Sequence, residues 1–340
     1  METHRQVQDR SAWRATEMAA RTDWIQILSD AERAELKAAV EFAHIRGLDP
    51  MTDGAEAFPL PSLAPMLLEL VDELDNGRGF VLLRGLNLDG YSSAEIDLLY
   101  AGMGRHMGRI ITQTSRGNRI GRVTDSGANY GSVATRGHTS SDAIRPHCDS
   151  ADVVGLLCVQ PALSGGESTV ASATSIYNII AQQSPHCLAV LKRGFRINLA
   201  GKGPTGEAAE CSHRAIPVFS DFAGKVSCRF NQKQIEDAAQ ILGTPLSDLE
   251  REAIALVGVL AVSDELRLDM DFKRGDVQFL NNHVILHARR DYQDSPDPEL
   301  RRLLLRMWIN VDTGRPLAPE FADRLNSGPR GEVTVTSASV

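Results

Sequence analysis

The 340-residue sequence predicts a mainly β fold with flanking α-helices, a sandwich or jelly roll rather than an alternating α/β sheet. Three observations carry that expectation. Short runs of β-forming residues recur between Asp152 and Val311. Only two helical excursions interrupt them, at 176–183 and 232–262. No internal repeat and no Gly-rich phosphate loop is present.

The elements follow in order. Within the N-terminal region 1–110, Ser29-x-x-Glu32 is a capping box that satisfies the free amides of a first helical turn, and Leu36, Val40 and Ala43 follow at helical spacing. A second helix places Leu63, Met66, Leu67, Leu70, Val71 and Leu74 on one stripe, with Ser62 as its expected N-cap and Gly77 as its stop. Phe80-Val81-Leu82-Leu83 reads as a buried strand. Ser92-x-x-Glu95 opens a third helix carrying Ile96, Leu99 and Tyr100, expected to run out near Gly104. Periodicity then vanishes over 112–144, a stretch dense in Gly, Ser, Thr, Asn and Asp. A loop of that length predicts a lid, because the strongest motif begins directly after it. The core, 145–312, should hold strands at 152–159, 168–171, 195–199, 218–219, 226–230, 267–272, 277–280, 284–288 and 303–311. Ser247-x-x-Glu250 restarts the helical insert 232–262, and the tail 316–340 is expected to fray at its end.

Composition narrows the function. The formal charge is −8, from 36 Lys+Arg and 44 Asp+Glu, which argues against a nucleic-acid or anionic-membrane binder. Hydrophobic residues at 42% and charged residues at 24% describe a globular chain, not a disordered one. No apolar run approaches the roughly 20 residues of a membrane span, and the charged start METHRQVQDR is unlike a secretory signal. The five cysteines (148, 158, 187, 211 and 228) contain no Cys-x-x-Cys pair, against a disulfide framework or a cysteine zinc site. The expectation is a soluble, cytoplasmic protein that handles small molecules, with homo-oligomerisation left open.

Four features can carry chemistry. In Arg145-Pro146-His147-Cys148-Asp149, residues two apart on an extended segment face the same side, so His147 and Asp149 offer an imidazole and a carboxylate together. His283 and His287 lie four apart, as in a helical zinc-protease pair, but position 284 is Val and the flanks are β-formers. As a strand, the segment brings one of these histidines to a site built by His147 and Asp149. In the strand 302–311 the odd positions are all apolar, while the even face carries Arg302, Leu304, Arg306, Trp308 and Asn310. That face resembles a polar pocket lining, a setting that suits guanidinium because it pairs bidentately with carboxylates. Gly165-Gly166-Glu167-Ser168-Thr169 is a turn into a strand whose hydroxyls could help hold a carboxylate.

In this order and spacing, His147-x-Asp149, Gly-Gly-Glu-Ser at 165–168, Asn281-Asn282-x-x-x-Leu286-His287-Ala288-Arg289 and Arg302-x-x-x-Arg306-x-Trp308 resemble the Fe(II)/2-oxoglutarate-dependent dioxygenases of the taurine dioxygenase and clavaminate synthase-like superfamily. The resemblance implies a double-stranded β-helix (jelly-roll) core with helices outside. It implies His147, Asp149 and His287 as the iron ligands, with His287 preferred to His283 for its Leu-His-x-Arg context. Arg302 would pair with the distal carboxylate of 2-oxoglutarate, assisted by Ser168, where relatives often carry Thr, or by the neighbouring Thr169. Arg306 would serve either the cosubstrate or an anionic group on the substrate. Three open iron positions would take the keto acid and O2. Because Asp149 is present, hydroxylation, or desaturation or cyclisation, is implied rather than halogenation. Gln113, Arg145, Arg290 and Arg306 are the expected substrate contacts, and so many arginines suggest a carboxylate-bearing amino acid or natural-product acid. Residues 147 and 302 must meet at one site, so 1–340 should be a single catalytic domain. Two other readings stand beside this one: a zinc hydrolase using the same three ligands, and a non-catalytic jelly-roll binding protein.

Overall fold

A computed structural model describes residues 6–125 and 141–336. Two sheets form its centre. The seven-stranded sheet runs, from one edge, through Ile25–Ile27, Phe80–Arg84, Val277–Asn281, Val153–Gln160, Leu303–Asn310 and Arg109–Ile110, and Ile120–Val123 also pairs with Leu303–Asn310. The four-stranded sheet has the order Leu268–Met270, Ser168–Ser172, Ile285–Arg289, Ile144–His147. This is the expected jelly roll with helices packed outside.

Side-chain alternation on Leu303–Asn310 shows how the sheet sorts its two faces. Leu305, Met307 and Ile309 join the apolar cluster made with helices Asp30–Arg46, Leu63–Asn76 and Ser93–Met107. Leu304 and Trp308 join the other cluster, which extends to helices Ala173–Gln183, Pro185–Arg193 and Asp248–Ala261. The even face therefore points into the roll, as the sequence pattern required.

All three capping boxes, at Ser29, Ser92 and Ser247, form as expected. Four expectations need correction. Ser62 makes no capping bond; the Glu35 carboxylate accepts from the Ser62 and Leu63 amides instead, at 2.8 and 3.2 Å. The third helix continues past Gly104 to Met107, because Gly102 and Gly104 are where Phe58 and Met307 press against it and a Cβ would collide. Residues 195–199 form isolated bridges, Phe195 to Ile216 and Asn198 to Cys211, and not a strand, while Pro185–Arg193 is a helix unmarked in the strand-and-helix reading. The segment 112–144 is not all loop: Ile120–Val123 pairs with Leu304–Met307, and 126–140 lie outside the described residues.

The tail is docked. Phe321, Leu325 and Val333 are buried, Arg330 Nε reaches Asp152 at 2.8 Å, and the Thr112 amide donates to Glu332 at 2.9 Å. Its low hydrophobicity concealed contacts made through buried charge, and only 337–340 fall outside the described residues.

Candidate active site

Register builds the triad. Ile144–His147 pairs antiparallel with Ile285–Arg289 so that His147 faces His287, and paired residues project to one side. The two rings lie 4.2 Å apart between centroids. Asp149 follows two residues on, its amide anchored to Asn282 Oδ1 at 2.9 Å. Its carboxylate oxygens lie 4.0 Å from His147 Nε2 and 3.9 Å from His287 Nε2. One ligand atom from each residue falls within 4.8 Å of the others, a spacing that fits one ion.

The donors are prepared for a metal. His147 Nδ1 donates to the Arg145 carbonyl at 2.9 Å, which leaves Nε2 with its lone pair. His287 Nδ1 is buried with no hydrogen-bond partner among the described residues. Burial pushes both imidazoles below their ordinary range, against the pull of Asp149, and His287 is held at about 3. Both are therefore neutral and able to ligate. Burial alone would raise Asp149, but the Arg306 guanidinium, helped by the Trp308 N–H, outweighs it and holds the carboxyl well below the usual range. Two neutral imidazoles and one carboxylate, with His147 and Asp149 oriented by hydrogen bonds with their neighbours, suit Fe(II). Trp308 Nε1 donates to Asp149 Oδ2 at 3.0 Å, and Trp308→Phe removes that bond along with part of a fully buried ring system. Metal affinity is expected to fall roughly 10- to 100-fold, measured by Fe(II) titration at a temperature well below the melting midpoint, which itself should drop with the lost core volume.

A second polar region lies along the same inner face. Ser168 is paired with Arg289, and Val170 with His287, so Ser168 and Arg289 share the side of the triad while Thr169 points to the other. The Ser168 hydroxyl donates to Gln278 Oε1 at 3.1 Å. Arg302 is buried, with its guanidinium 5.0 Å over the Tyr292 ring and Arg289 at 4.8 Å from the same ring. Arg302 Nη1 has no acceptor, and no carboxylate forms an ion pair with Arg302 among the described residues. Gly166, at φ +74°, makes room for this guanidinium: a Cβ there would lie 3.2 Å from Arg302 Nε. Unpaired, buried and fork-shaped, Arg302 is built to receive a carboxylate.

Other expected contacts are placed differently. Arg306 Nε donates to Gln113 Oε1 at 2.8 Å, and its Nη1 lies 3.6 Å from Asp149. Gln113 is fully engaged, since its amide nitrogen also donates to the carbonyls of Arg119 and Arg306 at 2.8 Å. It positions Arg306 and has no donor left for a substrate. Arg145 meets the triad through its carbonyl; its guanidinium is exposed, 3.8 Å from Glu236. Arg290 is one residue out of phase with His287 and pairs with Asp269 at 2.6 Å on the outer face. His283 is a hydrogen-bonded core histidine, bound to Asp152 at 2.9 Å. Arg289 and Asn282 lay within a motif already singled out, and period-two alternation from His287 would have found Arg289. Nothing local in the sequence marked Arg229 or Arg324, both buried near Asp149 and Asp152.

A facial pair of histidines and a carboxylate inside a jelly roll, with a buried arginine beside it, defines the class of non-haem iron oxygenases that use a keto-acid cosubstrate. The model of the taurine catabolism dioxygenase TauD, TfdA family matches residues 28–308, and the chain belongs to that family. It is 30% identical over 313 residues to FR-33289 synthase of Streptomyces rubellomurinus, covering 91% of each chain. It is 29% identical over 317 residues to the taurine hydroxylase-like protein SAT17 of Stachybotrys chartarum, covering 88% of this chain and 78% of that protein. Among solved structures, asparagine oxygenase with Fe(II), 3-hydroxyasparagine and succinate superposes with a TM-score of 0.65 at 15% identity, covering 84% of this chain and 93% of that one. The protein is a 2-oxoglutarate-dependent dioxygenase that uses Fe(II) and O2. The zinc-hydrolase and non-catalytic readings find no support among these relatives. No helix of the described residues is long and apolar enough to cross a membrane.

Proposed function

We propose that the enzyme hydroxylates an unactivated C–H bond of a small, anionic amino-acid or natural-product substrate, with His147, Asp149 and His287 holding Fe(II). Arg302 takes the distal carboxylate of 2-oxoglutarate, with Ser168 rather than Thr169 assisting, because only Ser168 shares the inner face. The observation that carries this reading is the neutral-imidazole triad facing the same interior as an unpaired, buried Arg302. Relatives named for asparagine and taurine support the substrate class.

When bound together, Fe(II) and 2-oxoglutarate supply the oxidation: the keto acid and O2 become succinate and CO2, and one oxygen atom enters the substrate C–H bond. The protein's own part is placement and exclusion of water. The Arg145 carbonyl fixes the His147 tautomer. Trp308 and Arg306 keep Asp149 ionised and aimed. Gln113 holds Arg306 over the Trp308 ring, at 5.0 Å, facing the triad. We further read 1–340 as one catalytic domain, acting without nucleic acid or membrane. The reading extends to the reducing cytoplasm, consistent with five buried free thiols.

Anaerobic addition of Fe(II) and 2-oxoglutarate should produce a visible charge-transfer band, and O2 should then release succinate in a screen over amino acids and small acids. A correctly folded protein that shows no band would overturn the assignment. Activity retained with zinc and without oxygen would do the same.

A further inference from the structure

We propose that Arg229 and Arg324 form an anion subsite beside the triad that takes an oxyanion headgroup of the substrate. The proposal rests on the oxygenase reading and deepens it. An antiparallel bridge joins His147 to Asn231, and the Cys148 amide donates to the Phe230 carbonyl at 2.7 Å. Asn231 therefore shares the face of His147, and Arg229, two residues earlier, shares it too. Arg229 Nη2 donates to the Ser150 hydroxyl at 3.3 Å, one residue beyond Asp149, and to the Arg324 carbonyl at 3.1 Å. The two guanidiniums are thus neighbours next to a metal ligand.

Both are deeply buried, at 9% and 3% exposure, and both are short of acceptors. Arg229 Nη1 and Arg324 Nε and Nη1 have no hydrogen-bond partner among the described residues. Their charge is also incompletely compensated. Arg324 pairs with Asp152 at 3.3 Å, but that carboxylate also serves Arg330 at 2.8 Å and His283 at 2.9 Å. Asp323 and Asp149 are the carboxylates acting on Arg229; one Asp323 oxygen accepts the Gly328 amide at 3.2 Å, and Asp149 also lies 3.6 Å from Arg306. Four guanidiniums (Arg229, Arg306, Arg324 and Arg330) face three carboxylates (Asp149, Asp152 and Asp323), while His283, pushed down to about 4 by burial, is neutral and adds no further charge. Burial and the charge of Arg324 bring Arg229 down to about 9, which still leaves it a cation at neutral pH. Like charges buried with free donors are unfavourable unless an anion completes them. Arginine's planar fork makes phosphonate, phosphate, sulfonate and carboxylate the matching headgroups. Arg324 lies beyond the family-matched residues 28–308, and Arg229 lies within them.

The test is calorimetric titration of the full chain, loaded anaerobically with Fe(II) and saturating 2-oxoglutarate in a chloride buffer. The probes are methylphosphonate, methanesulfonate and acetate, with acetamide as the neutral control. At least one oxyanion should bind to wild type, at least tenfold more weakly to Arg229→Gln, and with intermediate affinity to Arg229→Lys. The charge-transfer band should be the same in all three proteins, which shows the cosubstrate site intact. Arg324→Gln should match Arg229→Gln in binding, with a lower melting midpoint because Arg324 also braces Asp152. Oxyanion binding unchanged in Arg229→Gln, no oxyanion binding by wild type, or equal binding of acetamide would overturn the subsite. If wild type lacked the band, the oxygenase reading would fail, and Arg229-dependent binding of methylphosphonate by metal-free protein would still establish the subsite.

Discussion

Asp149→Ala is expected to abolish the charge-transfer band and to lower succinate release by a factor on the order of a thousand or more, equivalent to about 4 kcal/mol of barrier. The carboxylate is the triad's sole anion, so its loss leaves two neutral imidazoles to hold a divalent cation. It also strands the Trp308 N–H, now 3.0 Å from Oδ2, and removes the partner that lies 3.6 Å from Arg306. Asp149 is anchored by its backbone amide to Asn282, a bond that alanine keeps. The variant should therefore fold, and near-wild-type circular dichroism beside a lost band separates chemistry from structure. Retention of the band would remove Asp149 from the metal site.

Arg302→Ala is expected to weaken 2-oxoglutarate binding by about 2–5 kcal/mol, roughly 30- to 5,000-fold, as truncation of one partner in a buried charge pair does. Titrating the band with 2-oxoglutarate reads this directly. Arg302→Lys should recover only a small part, because an ammonium supplies charge without the bidentate fork. The free protein should tolerate the change, since the Nη1 nitrogen has no acceptor and the nearest Arg302 Nη2 bond, to the Gly166 carbonyl, is 3.5 Å long. An unchanged affinity in Arg302→Ala would place the distal carboxylate elsewhere.

Legibility in the sequence followed the range of the interaction. Capping boxes at Ser29, Ser92 and Ser247 are closed within four residues, and each formed as read. Ser62 has the same residue type, but its helix start is capped across 27 positions by Glu35, which no local rule detects. Gly104 looked like a stop, yet the helix crosses it because Met307 needs the space, a demand set more than 200 residues away in the chain. The arginines divide in the same manner. Arg302 and Arg306 were legible because strand alternation assigns their face; Arg145 and Arg290 drew notice for residue type alone, and the fold gave them to Glu236 and Asp269.

The sequence by itself determined the jelly-roll class and the inward face of the last long strand, and its family resemblance pointed to His147, Asp149 and His287 as the proposed metal donors. Those follow from period-two alternation and from motif order, both of which survive in one dimension. Tertiary structure alone decided which hydroxyl shares the inner face with Arg302, why Gln113 is occupied, and where buried guanidinium donors are left without acceptors. Each of these depends on strand register and on a tail docked by buried ion pairs. Pairing partners and charge balance are properties of neighbours in space, and a chain far apart in sequence carries no local mark of them.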